Sequence, residues 1–283
     1  MPVNPAYRDF FKALEAIEHG VEAWTAYERL YLGQHRAVVE AYWRQCWGAD
    51  DNRIREMVRE IRPGDYRALR QAIESANIER LAEDALQRCA RLVYLPEPWL
   101  DLLVGRFSPD AFLFEVVGAW HIGVGLERFA HFSILPLFIA HEYGHYARRM
   151  LAPEPLTLAD FLVAEGLAIA FSQAAYPELP LARHLRLTPR RIHEIRELEP
   201  VLWDALRPSL DARGVDAFAG VLYGARRWRG FPPRFGTCLG YWAAAHFAEG
   251  HGGPAVDREI LSTESTAVLR SYLGCDMTAQ EEV

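Results

Sequence analysis

Residues 133–150 read SILPLFIAHEYGHYARRM, and this stretch decides how the rest of the chain is interpreted. Its apolar residues recur at helical spacing, which predicts a helix with Ser133 as N-cap and Pro136 in the first turn, where proline is tolerated. On that helix His141 and His145 lie four residues apart and therefore share one face. Both imidazoles can then reach one metal ion.

Residues 141–145 have the form H-E-x-x-H, in which the two histidines bind zinc. A catalytic zinc site keeps three protein ligands, so a third must come from elsewhere. The next predicted helix begins near Thr157, where the T-L-A-D of residues 157–160 resembles a capping box, and continues through Phe171. Glu165 is the best candidate because it lies in line with the apolar stripe of that helix. A carboxylate that points inward needs a cationic partner. The alternative interpretation is an ordinary glutamate paired with an arginine.

Two further positions are candidates for catalysis. Glu142 is turned about 100° around the helix from His141, which predicts a general base beside the metal rather than a ligand. An oxyanion donor is expected from the late helix that starts near Thr237, where Tyr241 and His246 point about 140° apart. We favour Tyr241 because it follows Gly240 and precedes small alanines. The alternatives are a surface carboxylate for Glu142 and a core tyrosine for Tyr241.

Other polar residues receive weaker interpretations. Arg226, Arg227, Arg229 and Arg234 precede the late helix and form either a solvated basic face or a fork for a substrate carboxylate. The remaining histidines stand at no ligand spacing and receive no role. Four widely scattered cysteines, without a C-x-x-C pair, indicate free buried thiols.

Outside the metal motif, the chain changes character near residue 89. Residues 8–89 carry several apolar stripes at helical spacing, whereas residues 92–95 and 112–117 have the composition of strands, and 118–126 could be extended. The predicted fold class is therefore α+β and mostly helical. We expect a helical N-terminal lobe over 1–89 and a catalytic lobe over 90–283, which contains a short sheet and the H-E-x-x-H helix.

Composition limits the choice of partners and compartment. The chain has 283 residues, 51% hydrophobic and 24% charged, which is typical of a globular protein. Its formal net charge of −7 argues against a nucleic-acid or membrane partner, because binding to polyanions requires a basic face. The N-terminus lacks the features of a secretory signal, and no apolar run approaches the length of a bilayer span. We therefore expect a cytoplasmic protein.

The motif pair resembles that of the gluzincin metallopeptidases, since Glu165 follows the H-E-x-x-H motif after nineteen intervening residues. More specifically, the chain resembles a bacterial family of predicted zinc-dependent proteases known as domain of unknown function 2268. Residues 31–33, 121–129, 158–168 and 240–241 carry that resemblance. It implies a zincin-like catalytic lobe. One departure from the thermolysin pattern is Ile169, which stands where an acidic residue would orient a zinc-binding histidine.

The expected function is zinc-dependent hydrolysis of peptide bonds in peptides or small proteins. One Zn²⁺ ion per chain would be held by His141, His145 and Glu165, with Glu142 as general base. Two alternatives remain, a zinc-binding recognition or regulatory protein without turnover and a hydrolase of a nonpeptide amide. Retention of Glu142 argues against the first, because metal binding alone does not require that carboxylate.

Overall fold

The structure is a computed structural model that describes residues 3–48, 50–105, 110–152, 155–214, 220–221, 230–251 and 257–274. The described residues are mostly helical and include one four-stranded mixed sheet. These features confirm the predicted α+β class. The chain divides into two compact units, one formed by Met1–Arg88 and Pro96–Tyr143 and the other by Cys89–Leu95 and Gly144–Val283. The predicted lobes, 1–89 and 90–283, stay a prediction.

The first unit begins with amphipathic helices whose apolar faces form its core. Phe10, Tyr27 and Tyr31 are buried and contact one another edge to face, so three successive helical segments meet at these rings. The helices are α1 (Tyr7–Glu18), α2 (Ala23–Tyr27), a π-helical segment (Glu28–Leu32), α3 (Gly33–Trp47), α4 (Asp51–Arg59), α5 (Arg67–Ala76) and α6 (Ile78–Leu92). A 3₁₀ turn, Pro63–Tyr66, separates α4 from α5.

The sheet of the first unit has the strand order β1-β2-β4-β3. The strands are β1 (Val3–Asn4), β2 (Trp99–Leu103), β3 (Ala111–Val116) and β4 (Ala119–Gly125). β2 pairs in parallel with β1 and β4, whereas β3 and β4 form an antiparallel hairpin. Strands β3 and β4 agree with the strand predicted at residues 112–117 and with the extended segment expected at 118–126.

The predicted strand at residues 92–95 is wrong. Leu92 ends α6, and the strand occurs later, at Trp99–Leu103. A short apolar run cannot be distinguished by composition from the end of a buried helix, and Pro96 and Pro98 next to it remove backbone donors that a strand needs. The run is nevertheless partly buried, because Val93 and Leu95 face the interior.

Two features of the hairpin have identifiable physical causes. A Cβ atom on Gly123 of β4 would lie 3.0 Å from the Phe114 ring and 3.1 Å from the Tyr42 ring, so glycine leaves room for two aromatic rings. At the free edge of the sheet, the Gln45 side chain contacts the backbone of Glu115. Its Nε2 donates to the Glu115 carbonyl at 2.8 Å, and its Oε1 accepts from the Glu115 amide at 3.3 Å.

Helix α7 (Leu135–Leu151) follows two 3₁₀ turns, Leu126–Arg128 and Phe132–Ile134. The α-helix thus begins two residues after the predicted N-cap Ser133, and Pro136 lies in its first turn as expected. The boundary between the two units falls inside this helix, between Tyr143 and Gly144. The helix itself is continuous across that boundary.

The second unit is built around α8 (Leu158–Ala175), whose residues are apolar on nearly all sides. Its other helices are α9 (Leu181–His184), α10 (Pro189–Glu197), α11 (Glu199–Leu206), α12 (Phe235–Gly250), α13 (Arg258–Ser262) and α14 (Ser265–Leu273). With 18 residues and a mean hydropathy of 1.4, α8 is long and apolar enough to cross a bilayer, contrary to the sequence prediction. Its 72% burial is that of a core helix, which passes the same test.

Candidate metal centre

The H-E-x-x-H motif lies in the middle of α7, between a proline-tolerant first turn and a basic last turn. Tyr143 and Tyr146 are buried, whereas His141 and His145 are half-buried on the face they share. The two imidazoles lie one turn apart on the same helix, so their relative position is set by that helix alone. They stay accessible to an ion from solvent.

Helix α8 is fixed at its N-terminus by a capping box between Thr157 and Asp160, as the sequence predicts. Asp160 Oδ2 accepts from the backbone amide of Thr157 at 3.0 Å and from its hydroxyl at 2.8 Å. Asp160 thus serves its own helix end. Helix α8 carries two acidic residues. Because Asp160 caps the helix, Glu165 is the acidic residue that lies in its apolar middle.

Glycines bring the backbones of three helices into direct contact around Glu165. A Cβ atom on Gly144 of α7 would lie 2.8 Å from the Cα of Ala168 in α8. A Cβ atom on Gly166 would lie 2.0 Å from the carbonyl oxygen of Gly240 in α12. Ala168 meets α7, and Gly166 meets α12.

The side chains of His141, His145 and Glu165 converge, and their nearest ligand atoms all lie within 4.8 Å of one another. His145 Nε2 and Glu165 Oε1 are 3.3 Å apart. Two ligands bound to tetrahedral zinc at 2.0–2.1 Å are separated by about 3.3 Å, so the observed separation is compatible with a shared ion. Two imidazoles and one carboxylate are also a donor set that zinc accepts. The residues present therefore fit a zinc ion.

Glu142 is buried, with 8% of its surface exposed. A surface carboxylate, the alternative interpretation of this residue, does not agree with that burial. An ionised carboxylate away from water needs nearby positive charge or hydrogen-bond donors. Its position next to His141 on α7 keeps it beside the histidine pair.

Tyr241 and His246 occupy different environments on α12. Tyr241 is half-buried, and its hydroxyl donates to Gln173 Oε1 at 2.6 Å. Burial raises the pKa of this phenol, so Tyr241 is neutral at pH 7. Gln173 lies eight residues after Glu165, about 12 Å further along α8. His246 is exposed and contacts the Tyr272 ring edge to face, with ring centroids 5.4 Å apart.

Of the arginines and cysteines considered in the sequence, some lie in the described part of the chain and others lie outside it. Arg226, Arg227 and Arg229 lie outside the described residues, and Arg234 is half-buried at the start of α12. Cys89 and Cys238 are buried and form no disulfide with a described residue, in agreement with the expectation for these two positions, and burial raises the pKa of Cys238 to about 12.

Polar contacts that the sequence did not reveal involve histidines without ligand spacing. His121 Nδ1 lies 2.6 Å from Asp101 Oδ2, and Ser172 Oγ lies 2.9 Å from His184 Nδ1. All four side chains are buried. Each pair joins residues from different elements, so no local pattern marks either one.

Residues 121–269, about half of the chain, match the family described as Predicted Zn-dependent protease (DUF2268). The matched segment begins on β4 and ends within α14, so it contains α7, α8 and α12 with all the candidate ligands. The match confirms the resemblance to the family of predicted zinc-dependent proteases that the sequence motifs indicated. No curated protein and no solved structure matches the chain.

Proposed function

Because the chain belongs to the predicted Zn-dependent protease family, we propose that it is a metallopeptidase of the gluzincin type, with a zincin-like catalytic lobe. In this proposal His141, His145 and Glu165 hold one zinc ion per chain. Glu142 is the general base. The observation that carries the proposal is the convergence of the three ligand atoms, with a His145–Glu165 separation that tetrahedral zinc can accommodate.

Zinc, when bound, supplies Lewis-acid chemistry by polarising a carbonyl and lowering the pKa of water. Glu142 accepts the proton of the attacking water at its carboxylate and later transfers it to the leaving amine. Its burial supports this role, since a carboxylate held away from bulk water next to His141 can be positioned against a bound water. His141, His145 and Glu165 act as ligands and do not exchange protons with the substrate.

We propose Tyr241 as the donor to the oxyanion that forms on the attacked carbonyl. A neutral phenol suits this role because it donates a hydrogen bond without adding charge to the resting site. The backbone of Tyr241 also adjoins that of Gly166, the residue after Glu165. The bond from Tyr241 to Gln173 competes with the role, so the phenol must leave Gln173 when it meets substrate.

The proposed substrate is a peptide or a flexible protein segment in the cytoplasm, without a nucleic-acid or membrane partner. Support comes from the family description and from the net charge of −7. A zinc-binding protein without turnover is the second candidate, and the buried Glu142 argues against it. A nonpeptide amide as substrate is the third candidate.

The deciding experiment combines metal analysis of the purified protein with cleavage of a broad peptide library, with and without a chelator. The proposal expects one zinc per chain and cleavage that stops with chelator and returns with zinc. Zinc binding without cleavage of any peptide would favour one of the other two candidates. Protein that binds no zinc would refute all three.

A further inference from the structure

A buried arginine lies one turn beyond the second histidine of α7. Arg148 is 7% exposed, and its guanidinium donates to three acceptors of the C-terminal helices. Nη1 reaches the carbonyl oxygens of Leu261 at 2.7 Å and Thr263 at 2.5 Å, and Nη2 reaches Ser265 Oγ at 3.2 Å. The two carbonyls belong to the last turn and C-cap of α13, where a helix leaves its carbonyls without intrahelical partners.

Ser265 extends this contact to α8. As the first residue of α14, it accepts from Arg148, and α14 packs against α8. Burial alone would raise the pKa of Asp160 in α8, but hydrogen bonds from Thr157, Leu156 and Ser265 outweigh it and lower the pKa. Asp160 is thus an anion whose charge acts on the Arg148 guanidinium. The link from Arg148 through Ser265 and the start of α14 to α8 is called the serine bridge below.

The serine bridge lies on one side of the candidate ligands, and a backbone contact lies on the other. Along α7, His145 stands between Gly144 and Arg148. Along α8, Glu165 stands between Asp160 and Ala168. Gly144 contacts Ala168, and Arg148 connects to α8 through Ser265 and the packing of α14, so the two helices are held at two places that flank the ligand pair.

We propose that Arg148 and Ser265 are positioning residues that hold His145 and Glu165 at the separation a metal ion requires, which makes α14 a functional part of the metal centre. The inference rests on the proposed zinc site. It is also consistent with the extent of the family match, because residues 121–269 include Arg148 and every acceptor it contacts. A metal ligand whose support is removed typically loses about 10- to 100-fold in affinity.

The test measures zinc affinity of the full chain by competition with a chelator. Ser265→Ala cuts the bridge but leaves both carbonyl contacts of Arg148, and it should weaken zinc binding about tenfold. Ser265→Thr keeps a hydroxyl and should retain most of the affinity. The matched control is Ser262→Ala, because Ser262 is exposed and donates only within its own helix, to the Glu259 carbonyl. Arg148→Lys weakens the bridge from its other end and should lower affinity in the same direction.

Thermal unfolding of the zinc-free and zinc-saturated proteins separates positioning from general stabilisation. If Ser265 positions ligands, the rise in Tm that zinc produces should shrink in Ser265→Ala, since that rise depends on affinity. Equal losses of Tm in both forms, with unchanged affinity, would overturn the inference and leave the zinc site standing. Failure of Ser265→Ala to fold would also overturn it, because the bridge would then serve the fold. A wild-type chain that binds no zinc would refute the proposed function, and the inference with it.

Discussion

Gly166 and Gly240 touch backbone to backbone, one residue after Glu165 and one residue before Tyr241. A Cβ atom on Gly166 would lie 2.0 Å from the carbonyl oxygen of Gly240, which is closer than any atoms can approach without a shift of the helix. The contact determines how near α12 lies to the helix that carries a candidate ligand. Both positions therefore require glycine for space.

Gly166→Ala should destabilise the fold, because relief of the overlap requires α8 and α12 to separate. We expect the free energy of unfolding to fall by about 3 kcal/mol, the upper range for overpacking a core. Urea denaturation measures the change. Gly250→Ala is the matched control, since among the described residues no atom beyond its own helix backbone and chain neighbours lies within 4 Å of its added methyl group, and its stability should be unchanged or slightly higher. Equal stability of Gly166→Ala and wild type would contradict this contact.

Glu165→Ala should remove one of three ligands and leave the protein well below one zinc per chain after dialysis. The loss in zinc affinity should be larger than the loss of about 10- to 100-fold that is typical when a group supporting a ligand is removed. Metal analysis and circular dichroism together test this, because the variant must remain folded. Glu197→Ala, an exposed change on α10, serves as control. Full zinc occupancy in a folded Glu165→Ala protein would eliminate Glu165 as a ligand.

Glu142→Gln should separate binding from chemistry. The amide keeps the shape of the side chain but cannot accept the proton of water, so zinc content should match wild type while kcat falls by about 10²- to 10⁴-fold. Any peptide found by library cleavage provides the assay. Glu197→Gln should leave both quantities unchanged. Turnover of that peptide by Glu142→Gln at the wild-type rate would show that another group is the base.

Tyr241→Phe should lower kcat by about 10²- to 10³-fold with little change in KM, because the hydrogen bond forms mainly in the transition state. Zinc content should stay the same. The exposed His246 gives the comparison, and His246→Ala should retain activity if Tyr241 is the donor. The reverse pattern, with an active Tyr241→Phe enzyme and an inactive His246→Ala enzyme that keeps its zinc, would assign the role to His246.

His184 should make the stability of the zinc-free protein depend on pH. Burial lowers the pKa of this imidazole below its ordinary 6.5, so the unfolded chain binds the proton first as pH falls. The stability that neutral His184 gives the folded state is therefore fully present above pH 6.5. It is lost as the pH falls from 6.5 to the lower pKa of the folded state. Urea denaturation in the presence of chelator should show that the free energy of unfolding decreases less between pH 7.5 and 5.5 in His184→Gln than in wild type. Identical decreases would contradict the assignment.

The sequence predicted those features that depend on local pattern. The α7 helix, its paired histidines and the capping box of Thr157 and Asp160 are encoded within a few residues, so spacing alone reveals them. The family resemblance was likewise readable from short motifs. Strand β2 was missed because Trp99–Leu103 lacks the alternation of a half-buried strand, and most of its side chains are buried.

Features that join distant parts of the chain were not predicted. Arg148 and Ser265 are 117 residues apart, and Gly166 meets Gly240 on another helix. A glycine in a helix shows that something comes close but does not show which element it is. The same limit applies to Tyr241, whose place on α12 was expected but whose bond to Gln173 depends on how two helices pack.

The contact of Gln45 with Glu115 bears on how the protein behaves in concentrated solution. An edge strand offers unpaired amides and carbonyls, which another molecule can use to extend the sheet into an aggregate. At Glu115 the side-chain amide of Gln45 takes up both backbone groups, much as a neighbouring strand would. A second chain would have to break two hydrogen bonds before it paired there. This edge of the sheet is thus protected at Glu115 against intermolecular pairing.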